Sequence, residues 1–207
     1  MMAATRIKIC GICRAEDATS AIDLGASAIG FVFWPGSPRS IEPARAREIA
    51  AYLPAHVTLV GVFVDQPAEY VEEIATYVPL GAVQLHGSES IEAFARVKQP
   101  LIKAVPVSDG FHPATIDELP SYVTVLLDAH DPIRRGGTGR TIDWSVAAAV
   151  ARQRPTILSG GLTAGNVAEA IARVQPHMID VSSGVECEPG RKDPDKLKEF
   201  FAAVAAA

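Results

Sequence analysis

Short apolar runs alternate along this chain with stretches whose apolar positions recur every three or four residues. The runs at 6–10, 28–33, 57–64, 82–86, 101–105, 122–128, 156–158 and 178–181 are brief, rich in Val and Ile, and bounded by turn residues. That is the pattern of parallel strands buried on both faces. The amphipathic stretches between them predict helices at 14–24, 43–53, 67–77, 89–97, 143–153, 164–174 and 193–205. The punctuation agrees: Gly25 suits the position just past a helix, Pro43, Pro67 and Pro194 suit first turns, and Ser88, Asp143 and Asp193 suit N-caps. One unit is weak. Between Val105 and Tyr122 only the piece around Pro113 to Leu119 is helical in pattern, so the fifth helix is expected to be short or irregular.

Eight strand–helix units in 207 residues is about 26 residues each, near the lower limit of a (β/α)₈ TIM barrel. No linker or composition shift divides the chain, so a single barrel domain spanning 1–207 is expected. A hydrophobic content of 48% with 21% charged residues is ordinary for a soluble globular protein. A net charge of −5 argues against a nucleic-acid surface, and no run approaches the roughly 18 apolar residues of a membrane span. The start MMAATRIKIC lacks the apolar core of a signal peptide, and three cysteines without framework spacing fit a reducing compartment. The expected location is cytoplasmic and the expected state monomeric.

The stretch from Thr156 to Glu186 carries the first chemical signal. It holds Gly160-Gly161, an amphipathic helix with Thr163 as candidate N-cap, a second strand, and Ser182-Ser183-Gly184. Either glycine turn alone is an ordinary strand-to-helix turn. Two in succession, near the end of an eight-fold barrel, point to a phosphate site built from Gly160, Gly161, Ser183 and Gly184.

Strand parity carries the second. Ile7 and Ile9 would face the helices, leaving Lys8 and Cys10 to point inward, with Asp128 and Asp180 also inward. An inward lysine needs an acid, either Asp180 or Asp128, and its ammonium is expected to lower the pKa of Cys10 towards neutrality. Asp128 closes an apolar run at the catalytic end of a barrel strand, where partial burial is expected to raise its pKa. The loop after it, HDPIRRGGTGR, has the glycine content of a lid. Arg39 follows two stiffening prolines and suits a planar carboxylate, or else is a solvated surface arginine. Cys10 and Cys13 also make a C-x-x-C, but no second cysteine pair completes a zinc set and the βα rhythm is not thioredoxin-like. Trp34 and Trp144 are read as packing residues, with Trp34 near enough to the second loop to touch an aromatic ligand. His56, His112 and His177 are read as surface histidines.

The segments KICGICRAEDA, GASAIGFVFWPGSPR, VGVF, VQLHG, LLDAH, GGTGRTIDW, LSGGLTAGNVAEAI, DVSSGVE and PGRKDPDKLKEF occur in order from about Lys8 to Phe200. Together the chain resembles the phosphoribosylanthranilate isomerase family of tryptophan biosynthesis. The resemblance implies a cofactor-free Amadori rearrangement of N-(5-phosphoribosyl)anthranilate to 1-(2-carboxyphenylamino)-1-deoxyribulose 5-phosphate. It implies Cys10 as general base, Asp128 as general acid, Arg39 near the anthranilate carboxylate, and His86 and Asp180 in the pocket. Cys13 falls where that family varies. Two other readings stay open on the residues alone. His86, Asp128, His130 and Asp180 offer ligands to a metal-dependent sugar-phosphate epimerase, and the same barrel would serve as a non-catalytic or redox-sensing phosphate binder.

Overall fold

Eight apolar runs that cannot satisfy their own backbone groups close on one another in a ring. The computed structural model describes residues 5–108, 110–129 and 142–207. Its strands are β1 (Arg6–Cys10), β2 (Ala28–Val32), β3 (Thr58–Phe63), β4 (Ala82–Leu85), β5 (Leu101–Val107), β6 (Thr124–Ala129), β7 (Thr156–Leu158) and β8 (Met178–Val181). All pair in parallel in chain order, and β1 returns to β8, so no edge is left open. The helices are α1 (Ala15–Asp23), α2 (Pro43–Ala50), α3 (Ala68–Tyr77), α4 (Trp144–Ala151), α5 (Val167–Val174) and α6 (Pro194–Ala205). Among the described residues no helix is long and apolar enough to cross a membrane.

Alternation along the strands sorts residues into two cores. Ile9, Ile29, Val83, Leu127 and Ile179 belong to the large core that includes the helices, while Ala28, Val60, Ala82, Leu126, Ile157 and Met178 form a separate cluster that fills the barrel. Lys8 lies opposite Asp180 in the β1–β8 register and is fully buried at 0% exposure. The predicted parity of β1 is therefore present. The glycine-rich segment read as a lid, 130–140, and with it His130, lies outside the described residues.

The elements depart from the sequence pattern in four places. The expected helix at 89–97 is only a 3₁₀ turn at Ile91–Phe94. Ser88 does not cap it; its N–H and hydroxyl donate to Asp65, and the Glu89 carboxylate turns back to Lys103 at 2.8 Å and to the N–H groups of Asp65 and Gly87. A carboxylate held by that lysine locks the loop before a helical turn can start. The fifth unit has its 3₁₀ turn at Pro113–Glu118, as the pattern predicts. Pro67 occupies the N-cap of α3 rather than its first turn. α5 begins later than expected: Asn166, not Thr163, stands at its N-cap position. The Asn166 amide accepts from the Thr163 N–H at 2.8 Å and donates to the Gly161 carbonyl at 2.9 Å, holding 161–166 as a loop. Finally, a small antiparallel hairpin of β9 (Glu186–Glu188) and β10 (Arg191–Lys192) follows β8, where no strand was predicted.

Candidate functional site at the C-terminal rim of the barrel

Cys10 is the last residue of β1, and Asp128 and Asp180 are the next-to-last residues of β6 and β8. Inward parity and the strand ends bring them to one cavity of about 660 Å³, whose lining also includes Trp34, Arg39 and His86. Cys10 and Asp128 thus open onto the same space. Trp34, read from the sequence as a packing residue within reach of an aromatic ligand, packs on Cys10, Val32 and Val62 and borders this cavity.

Asp128 is buried and held at both oxygens. Oδ1 accepts the Ala129 N–H at 2.9 Å, and Oδ2 lies 3.2 Å from His86 Nε2. His86 is aimed by Gln84, whose amide nitrogen sits 2.7 Å from Nδ1. Lys8 pairs with Asp180 and not Asp128, Nζ to Oδ1 at 2.9 Å. Burial works against the Lys8 ammonium, yet the Asp180 carboxylate and the Cys10 thiol beside it more than offset this, so its pKa lies above the usual lysine value.

Cys10 corrects one expectation. Lys8 does draw its pKa down, but burial of the thiol is the larger effect, with Asp180 adding to it, so the net direction is upward. Taking the thiolate out of water costs more than one ammonium already matched by a carboxylate returns. Cys10, Cys13 and Cys187 are all free. The Cys13 thiol donates to the Arg39 carbonyl at 3.3 Å instead of pairing with Cys10. Among the described residues, no three His, Cys, Asp or Glu side chains group as a metal site.

Arg39 borders the cavity but is not a free guanidinium. Its Nε donates to both oxygens of Glu186 at 3.0 and 3.1 Å, and its Nη2 donates to Oε2 at 2.7 Å. Glu186 in turn accepts from Lys192 Nζ at 2.8 Å. Glu186, Lys192 and Gln84 were not singled out by the sequence. Glu186 and Lys192 sit in DVSSGVE and PGRKDPDK, where the density of charge reads as a solvated surface.

The two glycine turns meet. A Cβ on Gly184 would collide with the Leu162 carbonyl oxygen, so only glycine lets the β8 turn pack on the β7 loop. Gly160 has φ +88°, and a Cβ there would come within 2.8 Å of the Ala129 nitrogen. Gly161 adopts φ +63°. Ser159, Ser182 and Ser183 border the cavity beside these glycines, and the buried Ser182 hydroxyl has no partner among the described residues.

A family model described as N-(5'phosphoribosyl)anthranilate (PRA) isomerase matches residues 7–203. The N-(5'-phosphoribosyl)anthranilate isomerase of Chromohalobacter salexigens is 48% identical over 206 residues, covering 99% of this chain and 96% of its own. A phosphoribosyl anthranilate isomerase crystallised with reduced 1-(o-carboxyphenylamino)-1-deoxyribulose 5-phosphate superposes with a TM-score of 0.86 at 40% identity, covering 98% of this chain and all of that one. Monomers generated from the dimeric Thermotoga maritima enzyme give a TM-score of 0.85 at 40% identity, with the same coverage.

Proposed function

The chain belongs to the N-(5'-phosphoribosyl)anthranilate isomerase family, and we propose that Cys10 and Asp128 divide between them the two proton transfers of that reaction. The protein is an isomerase of tryptophan biosynthesis. It converts N-(5-phosphoribosyl)anthranilate to 1-(2-carboxyphenylamino)-1-deoxyribulose 5-phosphate by general acid–base catalysis.

Protonated Asp128 delivers its proton to the furanose ring oxygen. The C1′–O bond breaks, and the anthranilate nitrogen lone pair forms the C1′=N Schiff base. The Cys10 thiolate then removes the proton on C2′, and that electron pair makes the C1′=C2′ bond of an enolamine while the nitrogen regains its own. Loss of the 2′-hydroxyl proton and protonation of C1′ complete the ketone. Two groups on separate strands suit transfers at two different atoms, and each is worth roughly 10²–10⁴ in rate. The observation that carries this reading is the single cavity bordered by both Cys10 and Asp128.

Arg39 receives the anthranilate carboxylate. Its side-on pairing with Glu186 engages Nε and Nη2, which leaves Nη1 for the ligand. Gly160, Gly161, Ser183 and Gly184 receive the phosphate with backbone N–H groups, joined by the unpartnered Ser182 hydroxyl. His86 orients Asp128, and Asp180 holds Lys8 under the thiol. The chain works as one barrel domain and as a monomer. Its three free thiols are consistent with a cytoplasmic site of action.

The test is a fluorescence assay of phosphoribosylanthranilate consumption with and without a strong chelator. Cys10→Ala and Asp128→Ala are each expected to lower kcat by roughly 10²–10⁴ while KM moves little. Arg39→Ala is expected mainly to raise KM. Near wild-type kcat in either of the first two removes its assigned role. Activity abolished by chelator counts against an acid–base scheme carried by side chains alone.

A further inference from the structure

Lys192 takes no part in the proton transfers above, yet its side chain is wholly buried at 0% exposure. Its Nζ donates to three oxygens: the Cys10 carbonyl at 2.6 Å, Glu186 Oε1 at 2.8 Å and the Ser182 carbonyl at 3.3 Å. A neutral amine has two N–H donors, whereas an ammonium has three. Three acceptors around one nitrogen therefore define the charged form, even though burial pushes the Lys192 pKa below its usual value against the pull of Glu186. The Lys192 main-chain N–H is also tied, to Asp17 of α1 at 3.0 Å. Both ends of the residue are held.

The charged groups that face the Cys10 thiol come from three strands: Lys8 of β1, Asp180 of β8 and Lys192 of β10. Lys8 is matched one for one by Asp180. Glu186, by contrast, is shared between Lys192 and Arg39, while the other buried carboxylate nearby, Asp17, accepts the Lys192 main-chain N–H and not its ammonium. We infer that Lys192 is a positioning residue for Cys10, holding its carbonyl in place and bringing a second ammonium, beside that of Lys8, to bear on a thiolate at Cys10. This rests on the reading of Cys10 as the base. It also gives the C-terminal hairpin a role, since β10 carries Lys192 to the Cys10 carbonyl. The lysine acts through Cys10 and touches no reacting atom in this scheme.

The test reads the thiol rather than turnover. In a Cys13→Ser, Cys187→Ser background, the pH dependence of iodoacetamide alkylation reports Cys10 alone. Lys192→Gln removes the charge but keeps amide donors. It is expected to raise the alkylation midpoint by about one pH unit, so that the rate at pH 8 falls roughly tenfold. Lys192→Arg is expected to recover at least half of that shift. Folded Lys192→Gln protein with a wild-type midpoint overturns the inference.

A reciprocal measurement leaves position 192 unchanged, because the coupling must act equally on both groups. With ¹³Cε-labelled lysine, the Lys192 signal (identified by its loss in Lys192→Arg) is expected to titrate at lower pH in Cys10→Ala than in the wild type. Equal midpoints overturn the inference as well. Should Cys10→Ala retain full kcat while the thiol midpoint still depends on Lys192, the base assignment falls and only the coupling of Lys192 to the thiol stands.

Discussion

Glu186 sits between two cations, accepting from Arg39 at both oxygens and from the Lys192 ammonium. Burial works to raise its pKa, and the bonds from Arg39 and Lys192 outweigh that, holding the carboxyl below the usual glutamate value. The sign of the consequence follows from the depressed value. The stabilisation is present above the unfolded pKa of about 4.3 and is lost as pH falls through the folded one. Glu186→Gln is expected to be less stable at pH 7 by about 1–3 kcal/mol, and to lose less stability than the wild type on acidification below about pH 4. Thermal unfolding of both proteins from pH 3 to 7 checks this, and parallel curves count against it. At this scale legibility was uneven. Cys10 and Asp128 stand out in sequence because a chemically active side chain closes an apolar run. Lys192 does not, because a lysine beside Arg191 and Asp193 looks solvated until the hairpin folds it under. The upward shift of the Cys10 thiol was equally hidden, since it depends on how completely water is excluded.

At the level of elements, the barrel tolerates units without a full helix by satisfying their carbonyls in another way. Arg154, between α4 and β7, donates from Nη1 to the carbonyls of Ile116 and Leu119 and from Nη2 to those of Pro120 and Val123. One guanidinium thus ties the 3₁₀ turn at Pro113–Glu118 to the entrance of β6. Arg154→Ala is expected to cost about 1.5–3 kcal/mol, or roughly 2–4 °C in Tm for each kcal/mol. Its kcat and KM are expected to stay near wild type, because these contacts lie at the strand entrances while the cavity lies at their exits. A stability scan with steady-state kinetics tests both halves, and a large kcat loss without a Tm change contradicts the placement. The 3₁₀ turn at Ile91–Phe94, where a full helix was expected after β4, has a comparable cause. Glu89 is drawn to Lys103, a partner from another strand that local pattern cannot reveal.

Across the whole molecule, the described surface bears few large exposed apolar side chains: Tyr52, Tyr77 and Tyr122, each with a hydroxyl, and Tyr77 lies under Arg47 at 4.6 Å. A stable dimer ordinarily buries upwards of roughly 1,000 Å² with an apolar centre. Sedimentation at micromolar concentration is therefore expected to give one species near the chain mass of 21.9 kDa, and a species of twice that mass contradicts this expectation. Apolar runs of strand length alternating with helical periodicity were enough to specify a closed parallel barrel. Parity along β1, β6 and β8 was enough to turn Lys8, Cys10, Asp128 and Asp180 inward, because both depend on patterns a few residues long. Folding in three dimensions chose among partners distant in the chain. It assigned Lys8 to Asp180 rather than Asp128, occupied Arg39 with Glu186 147 positions away, and brought Lys192 beneath a cysteine 182 positions away. Such pairings depend on which charges are excluded from water together, and that is settled only when the barrel closes.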